Sequence, residues 1–243
     1  MTIAIGAFLN AIGILLGGLL GLALRKPPSL RAQVFFRSAL GVATVFFGLR
    51  LVYENTGGTF LSVLKQLAIA LAGVVLGFWI GKILRLQKIS NRVGRIAGNT
   101  ITAVQKNPAP NAAAGFNACA ILFCTAPLGL LGAVADGLTG YFWLLAVKAV
   151  MDGLAMMSFV KMFRWPAALS AIPVFVFLGA ITQVCQFSAR PFIEARHLVE
   201  PVNAAAGFIV CAVALVIFEV RKVELADYLP ALAVAPLLAW LFR

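Results

Sequence analysis

Lys148 and Asp152 are the residues whose types and spacing ask most directly for a chemical explanation. They stand four positions apart inside an otherwise apolar run, so a helix there puts both on one face, where they can pair. An ionisable group at membrane depth costs about 2.5–3.5 kcal/mol on insertion scales, so each needs a reason to be there. Counted from residue 142 at about 1.5 Å per residue, Lys148 lies about 9 Å and Asp152 about 15 Å into the run, near a bilayer midplane. Two readings stand side by side. The pair is a self-neutralised structural device that lets the helix insert, or it is an ion or proton site. In the second reading the Asp152 carboxylate is neutralised in turn by Lys148, a proton or a passing cation. Ala149 and Gly153 leave room for a close neighbouring helix.

Other polar groups in apolar surroundings point the same way. Pro127 falls in the middle of a run near 112–135, with Gly129 and Gly132 beyond it. Proline removes a backbone donor and frees a carbonyl one turn earlier, and membrane helices tolerate such breaks where neighbours or a cavity satisfy the backbone. A discontinuous helix facing an ion is one transporter device; a simple kink is the plainer alternative. Thr125 and Asn117 precede the break. Asp136 follows it in a glycine-flanked turn, either as a surface turn residue or as an entry ligand, with a positive φ at Gly137 or Gly140. Asn10, in the first apolar run, is a polar amide at moderate depth, placed to bond between helices or to coordinate a solute. The four cysteines, Cys119, Cys124, Cys185 and Cys211, form no CxxC or Cys/His pattern and read as small buried hydrophobes. His197 is the single histidine. No phosphate loop, dinucleotide fingerprint, serine nucleophile motif or zincin helix is present, so an enzyme, a metal site and a cofactor are not expected.

The elements that position these groups follow from composition. The 243 residues are 62% hydrophobic and 12% charged, with mean hydropathy +1.00, whereas soluble domains carry roughly 25% charged residues. The apolar residues come in blocks near the ~20 residues that a spanning helix needs. Eight blocks stand near 3–24, 34–52, 60–84, 112–135, 142–163, 167–187, 201–218 and 229–242, the last of them short. Pro173 and Pro236 are candidate kinks. Between the third and fourth blocks, Arg85, Lys88, Arg92 and Arg95 interleave with Leu86, Ile89, Val93 and Ile96. That pattern predicts a basic amphipathic helix over about 85–105 lying on the anionic inner leaflet, ended by Asn107-Pro108-Ala109-Pro110. The net charge of +12 then reflects topology, not a nucleic-acid partner. Most of the Lys and Arg follow the first, third, fifth and seventh blocks, beginning with Arg25 and Lys26, which makes that side cytoplasmic. With eight spans both termini lie outside; if the eighth does not cross, the C-terminus is cytoplasmic. The first block is read as a retained helix and not a signal peptide.

Two internal echoes are visible. Gly13, Gly17 and Gly21 form a stripe matched by Gly73, Gly77 and Gly81, a spacing that lets helix backbones approach within a subunit or across a dimer, or that lines a pore. Asn111-Ala112-Ala113-Ala114-Gly115-Phe116 is repeated at Asn203-Ala204-Ala205-Ala206-Gly207-Phe208, with Cys119 and Cys211 at equal offsets. Each opens a span, three spans apart, a parity that suits inverted repeats; two alanine-rich helix starts with Asn caps would look the same.

The segment 115–153, with Phe123-Cys124-x-x-Pro127, Asp136-Gly137-Leu138-x-Gly140 and Lys148-x-x-x-Asp152-Gly153, resembles the bacterial inner-membrane family designated domain of unknown function 554. Gly6-x-x-x-Asn10 and Pro230-Ala231-Leu232 with Ala235-Pro236-Leu237-Leu238 fit its terminal patterns, while Ala126 stands where that family commonly has Gly. The resemblance implies an inner-membrane helical fold, often named as a transport protein, and draws attention to Asn10, Asp136, Lys148 and Asp152. It supplies no substrate.

The reading is therefore an all-α, polytopic transmembrane helix bundle of seven or eight spans, one transmembrane domain over 1–243. It is expected in the bacterial inner membrane with its N-terminus outside, as a channel or secondary transporter for a small ion or solute. Membrane lipids and a second copy of the chain in a homo-oligomer, such as a dimer, are the expected partners. The alternative is a non-transporting scaffold or lipid-binding protein in which Lys148 and Asp152 are structural.

Overall fold

A computed structural model of the chain describes residues 4–24, 29–106 and 112–242, and those residues form helices and no strand. In chain order the helices are α1 (Ile5–Ala23), α2 (Leu30–Glu54), α3 (Phe60–Leu84), α4 (Leu86–Lys106), α5 (Ala112–Thr125), α6 (Pro127–Thr139), α7 (Trp143–Phe163), α8 (Ala171–Ser188), α9 (Arg190–Ala195), α10 (Val199–Ile217) and α11 (Ala231–Leu241). Six helices are long and apolar enough to cross a bilayer, or up to seven if the pair α5–α6 is one bent span. The chain is a multi-pass membrane protein. The amphipathic helix expected over 85–105 is α4. Arg25, Lys26, Asn111 and the Asn107–Pro110 break lie outside the described residues.

The boundaries have local causes. Ser29 and Thr59 cap α2 and α3, their hydroxyls accepting from the amides of Ala32 at 3.3 Å and Ser62 at 3.4 Å, the usual way to satisfy an orphan helix donor. The α3–α4 corner turns on Arg85, which takes a left-handed φ of 57°. A latch holds that corner: Asp227 Oδ1 accepts from the Gln87 amide at 2.8 Å, and Gln87 Oε1 accepts from the Ala226 amide at 2.9 Å. Gly140 closes α6 with φ 78°. The helix runs on through Asp136 and Gly137, so the turn expected at Asp136 begins one helical turn later. Pro173 does not kink α8, because it falls in the first turn, where its missing N–H has no helical partner to lose. A 3₁₀ segment at Trp165–Ser170 leads into α8. Pro236 does lie inside α11.

The glycine stripes are consumed inside the chain. A Cβ on Gly13 would sit 2.5 Å from the Ala149 carbonyl oxygen; Gly17 is pressed on the backbone of Gly153, and Gly21 on that of Met157. The contacts rise together along both helices, so α1 and α7 run parallel. Parallel spans have an odd number of crossings between them, which holds if α2, α3 and α5–α6 each cross once. On α3 the order reverses: Gly73 meets Ala235, Gly77 meets Ala231 and Gly81 meets Asp227. The segment Leu225–Leu241 therefore climbs antiparallel to α3. It falls among the shorter apolar helices, below the length of a candidate span, as the short eighth block suggested. Even so, it shadows α3 from Gly81 back towards Lys65, about 24 Å at the helical rise. Gly41 and Gly48 of α2 likewise seat Phe218 and Cys211 of α10. The two echoed Ala-rich segments open α5 and α10, which start at opposite faces: Gly115 lies on Phe163 at the end of α7, and Gly207 on Val52 near the end of α2.

The interior divides into two apolar cores. One gathers α6, α10 and the Leu225–Leu232 region; the other gathers α1, α5, α7 and α8. Helices α6 and α7 contribute to both, so side chains on their shared faces sit at the seam. The candidate spans α7 and α10 are 56% buried, against 22% for α2 and α3. The first two are interior helices, and α2 and α3 present most of their apolar surface outward.

Candidate functional site

Asn10, Lys148 and Asp152 come together at this seam. The Lys148 ammonium is paired with the Asp152 carboxylate along the face of α7. Lys148 is 1% exposed, Asp152 8% and Asn10 0%. The third member comes from α1, which packs on α7 through Gly13 and Ala149, with Asn10 one turn before that contact. Its amide lies within hydrogen-bonding reach of the Asp152 carboxylate and meets no other polar group among the described residues. A buried amide costs roughly 1–3 kcal/mol when nothing satisfies it, so the Asp152 carboxylate is the group that answers it.

The broken helix supplies the opposite wall. α5 and α6 meet at an angle of 55°. Pro127 is the first residue of α6, with Ala126 as its cap. It has no N–H for the Phe123 carbonyl, and the Gly129 and Leu130 amides turn back to the Ala126 carbonyl at 2.9 and 3.4 Å. The discontinuity is therefore at Ala126, with Gly129 inside α6. The Lys148 stem lies against Gly129, where a Cβ would come 2.7 Å from Cε. Its ammonium stands 5.6 Å from the centre of the Phe123 ring. A cation at the carbonyl end of α5, over an aromatic face, sits where the helix dipole and the ring quadrupole both favour positive charge. Phe123 was not among the residues singled out from sequence; its place one turn before Pro127 is the signal that it would face the break.

The remaining sequence candidates are not in this cluster. The Thr125 hydroxyl donates to the Ile121 carbonyl at 2.7 Å, and its carbonyl accepts from the Ser90 hydroxyl of α4 at 3.1 Å. One carbonyl freed by the break is thus taken by the amphipathic helix. Asp136 is buried at the far end of α6, where Oδ2 accepts from the Gly6 amide at 3.2 Å. That carboxylate serves the start of α1, where negative charge is favoured. Asn117 faces outward on α5 and does not approach the pair. Sequence reasoning missed the Gln87–Asp227 latch and the buried Thr182 hydroxyl, which donates to the Ala133 carbonyl at 3.2 Å. Both depend on distant segments meeting, which no local spacing announces.

A cavity of about 440 Å³ opens on the other side of α7, lined by Arg37, Met151, Ala155, Ser158, Ile217 and Glu219 among others. It reaches the depth of Asp152, since Met151 and Ala155 flank that residue in sequence, and Arg37 is paired with Glu219 at its border.

The model of a protein family described as protein of unknown function (DUF554) matches residues 5–240. The chain is 27% identical over 232 residues to the uncharacterized protein YqgA of Escherichia coli (strain K12), covering 95% of this chain and 94% of that one. It is 22% identical over 238 residues to the uncharacterized membrane protein YdfK of Bacillus subtilis (strain 168), covering 98% and 96%. No solved structure matches the chain.

Proposed function

The chain belongs to the DUF554 family, and we propose that this member is an inner-membrane channel or secondary transporter for a small cation or proton, with its N-terminus outside. The observation that carries the reading is the fully buried amide of Asn10 set against a buried Lys148–Asp152 ion pair at a helix break. Asp152 is the carboxylate that takes the passing charge, and Lys148 is the internal counter-ion that neutralises it in between. Asn10 offers a carbonyl oxygen to a cation or a hydrogen bond to a bound water. The Phe123 carbonyl, left without its helical donor by Pro127, adds an oxygen to the site. The pair is closed in contact, so passage needs Lys148 to release Asp152 each cycle. The cavity along Met151 and Ala155, bordered by Arg37 and Glu219, is the approach from the basic side.

A second reading has an observation of its own. Each charge of the pair already satisfies the other inside a close-packed seam, as a purely structural device in a membrane scaffold would. A proteoliposome screen across protons, alkali cations, halides and small organic solutes separates the two. The transporter shows flux for at least one of the cations, and Asp152→Asn abolishes it while leaving membrane yield intact. Flux that survives Asp152→Asn, or that disappears only in step with folded protein, makes the pair structural, and absence of flux for every solute favours the scaffold.

A further inference from the structure

Where α2 ends and α3 and α10 begin, a cavity of about 550 Å³ is walled by Asn55, Ser62, Lys65, Gln66, His197 and Glu200, with Glu54 at its border. It plays no part in the transport reading. Lys65, Ile69 and Phe242 are shared with a second cavity of about 450 Å³, completed by Ala68, Ala72, Leu76 and Leu238. The first chamber is polar and lies at helix ends, the level of lipid headgroups. The second is an apolar groove down the seam between α3 and α11. From Lys65 to Leu76 it runs about 16 Å along α3, close to half of the ~30 Å hydrocarbon thickness, which is one leaflet. A polar chamber opening into an apolar groove one leaflet long has the shape of an amphiphile.

The charges narrow the headgroup. Glu54 is taken by Arg50, and Gln66 bonds the amide and carbonyl of Gly57 at 3.0 and 3.1 Å. Among the described residues Lys65 and Glu200 form no ion pair. The chamber thus presents one unspent ammonium and one unspent carboxylate. We propose that it binds a phospholipid whose headgroup carries a phosphate and a primary ammonium, the phosphate on Lys65, the ammonium on Glu200 and one acyl chain in the α3–α11 groove. A primary ammonium gives charge-assisted hydrogen bonds to a carboxylate. A quaternary one has no N–H to give and is held by aromatic cages, whereas among the described residues the chamber's lining has no Trp or Tyr, and its Phe242 stands at the mouth of the groove.

Native mass spectrometry of the full chain in detergent tests this. Phosphatidylethanolamine, phosphatidylcholine and phosphatidylglycerol of one acyl composition are offered in turn, with glycerophosphoethanolamine as a tail-free competitor. Phosphatidylethanolamine is expected to be retained one-to-one, about tenfold more tightly than either other lipid. Glu200→Gln removes that preference, and Ala72→Trp, which fills the groove, lowers retention of all three. Both positions are exposed, so a melting curve confirms that the variants fold. Equal retention of the three lipids overturns the proposal, as does an unaltered preference in Glu200→Gln. Competition by glycerophosphoethanolamine at the affinity of the intact lipid also overturns it, by showing a site for a soluble zwitterion.

Discussion

Lys148→Met is expected to remove about 3–5 kcal/mol of stability, because it strands the Asp152 carboxylate in an interior where no other cation among the described residues is paired with it. Folded proteins hold a margin of about 5–15 kcal/mol in total, so most of the monodisperse protein should be lost on solubilisation. The paired variant Lys148→Met/Asp152→Leu should regain the yield and equal the parent or exceed it by about 1–4 kcal/mol, since well-packed apolar residues often replace a buried ion pair without penalty. Both readings of the pair expect this stability pattern. What separates them is that a transporter loses flux in the rescued double variant, whereas a scaffold keeps its function. Thermal melting in detergent with size-exclusion recovery is the measurement. A single variant as stable as the parent would mean that Asp152 is carried uncharged in the fold.

Gly17→Leu should be the most damaging change to the bundle away from that pair. Gly17 lies on the backbone of Gly153, and Gly153 faces the Gly13 carbonyl in return. Overpacking costs about 1–3 kcal/mol where side chains can yield. Here the obstacle is main chain, so the penalty exceeds that range and α1 leaves its register on α7, taking Asn10 with it. Gly94→Ala and Gly98→Ala are the controls. Nothing lies within 4 Å of a Cβ at either position, and Ala in an exposed helix interior gains about 0.5–1 kcal/mol over Gly. Recovered folded protein from the three variants side by side should therefore fall for the first and hold or rise for the others.

The spans were legible in the sequence because a bilayer fixes their length and forbids unpaired backbone. The helix break was legible because Pro127 has no N–H, and the pairing of Lys148 with Asp152 followed from helical spacing alone. The glycine stripes announced close helix contacts but not their partners: α1 selects α7 in parallel and α3 selects Leu225–Leu241 in antiparallel, choices made by tertiary packing. The same limit hid the task of Asp136, whose acceptor role depends on Gly6 arriving from 130 residues away. It also left Asn117 on the wrong side of α5, because a polar residue in an apolar run does not declare which neighbour its helix will meet. Asn10 was visible as a polar group at depth, but only the fold shows that its amide reaches the Asp152 carboxylate.

The most direct measurement is cation and proton flux through Asn10→Leu in proteoliposomes, at matched reconstitution, with melting followed in parallel. Among the described residues Asn10 meets no polar group except the Asp152 carboxylate, which Lys148 already pairs, so an apolar group of similar size should leave stability close to the parent's. If the amide is kept for a passing charge, the variant melts no lower than the parent and its flux is gone. Undiminished flux through an equally or more stable variant would contradict the account.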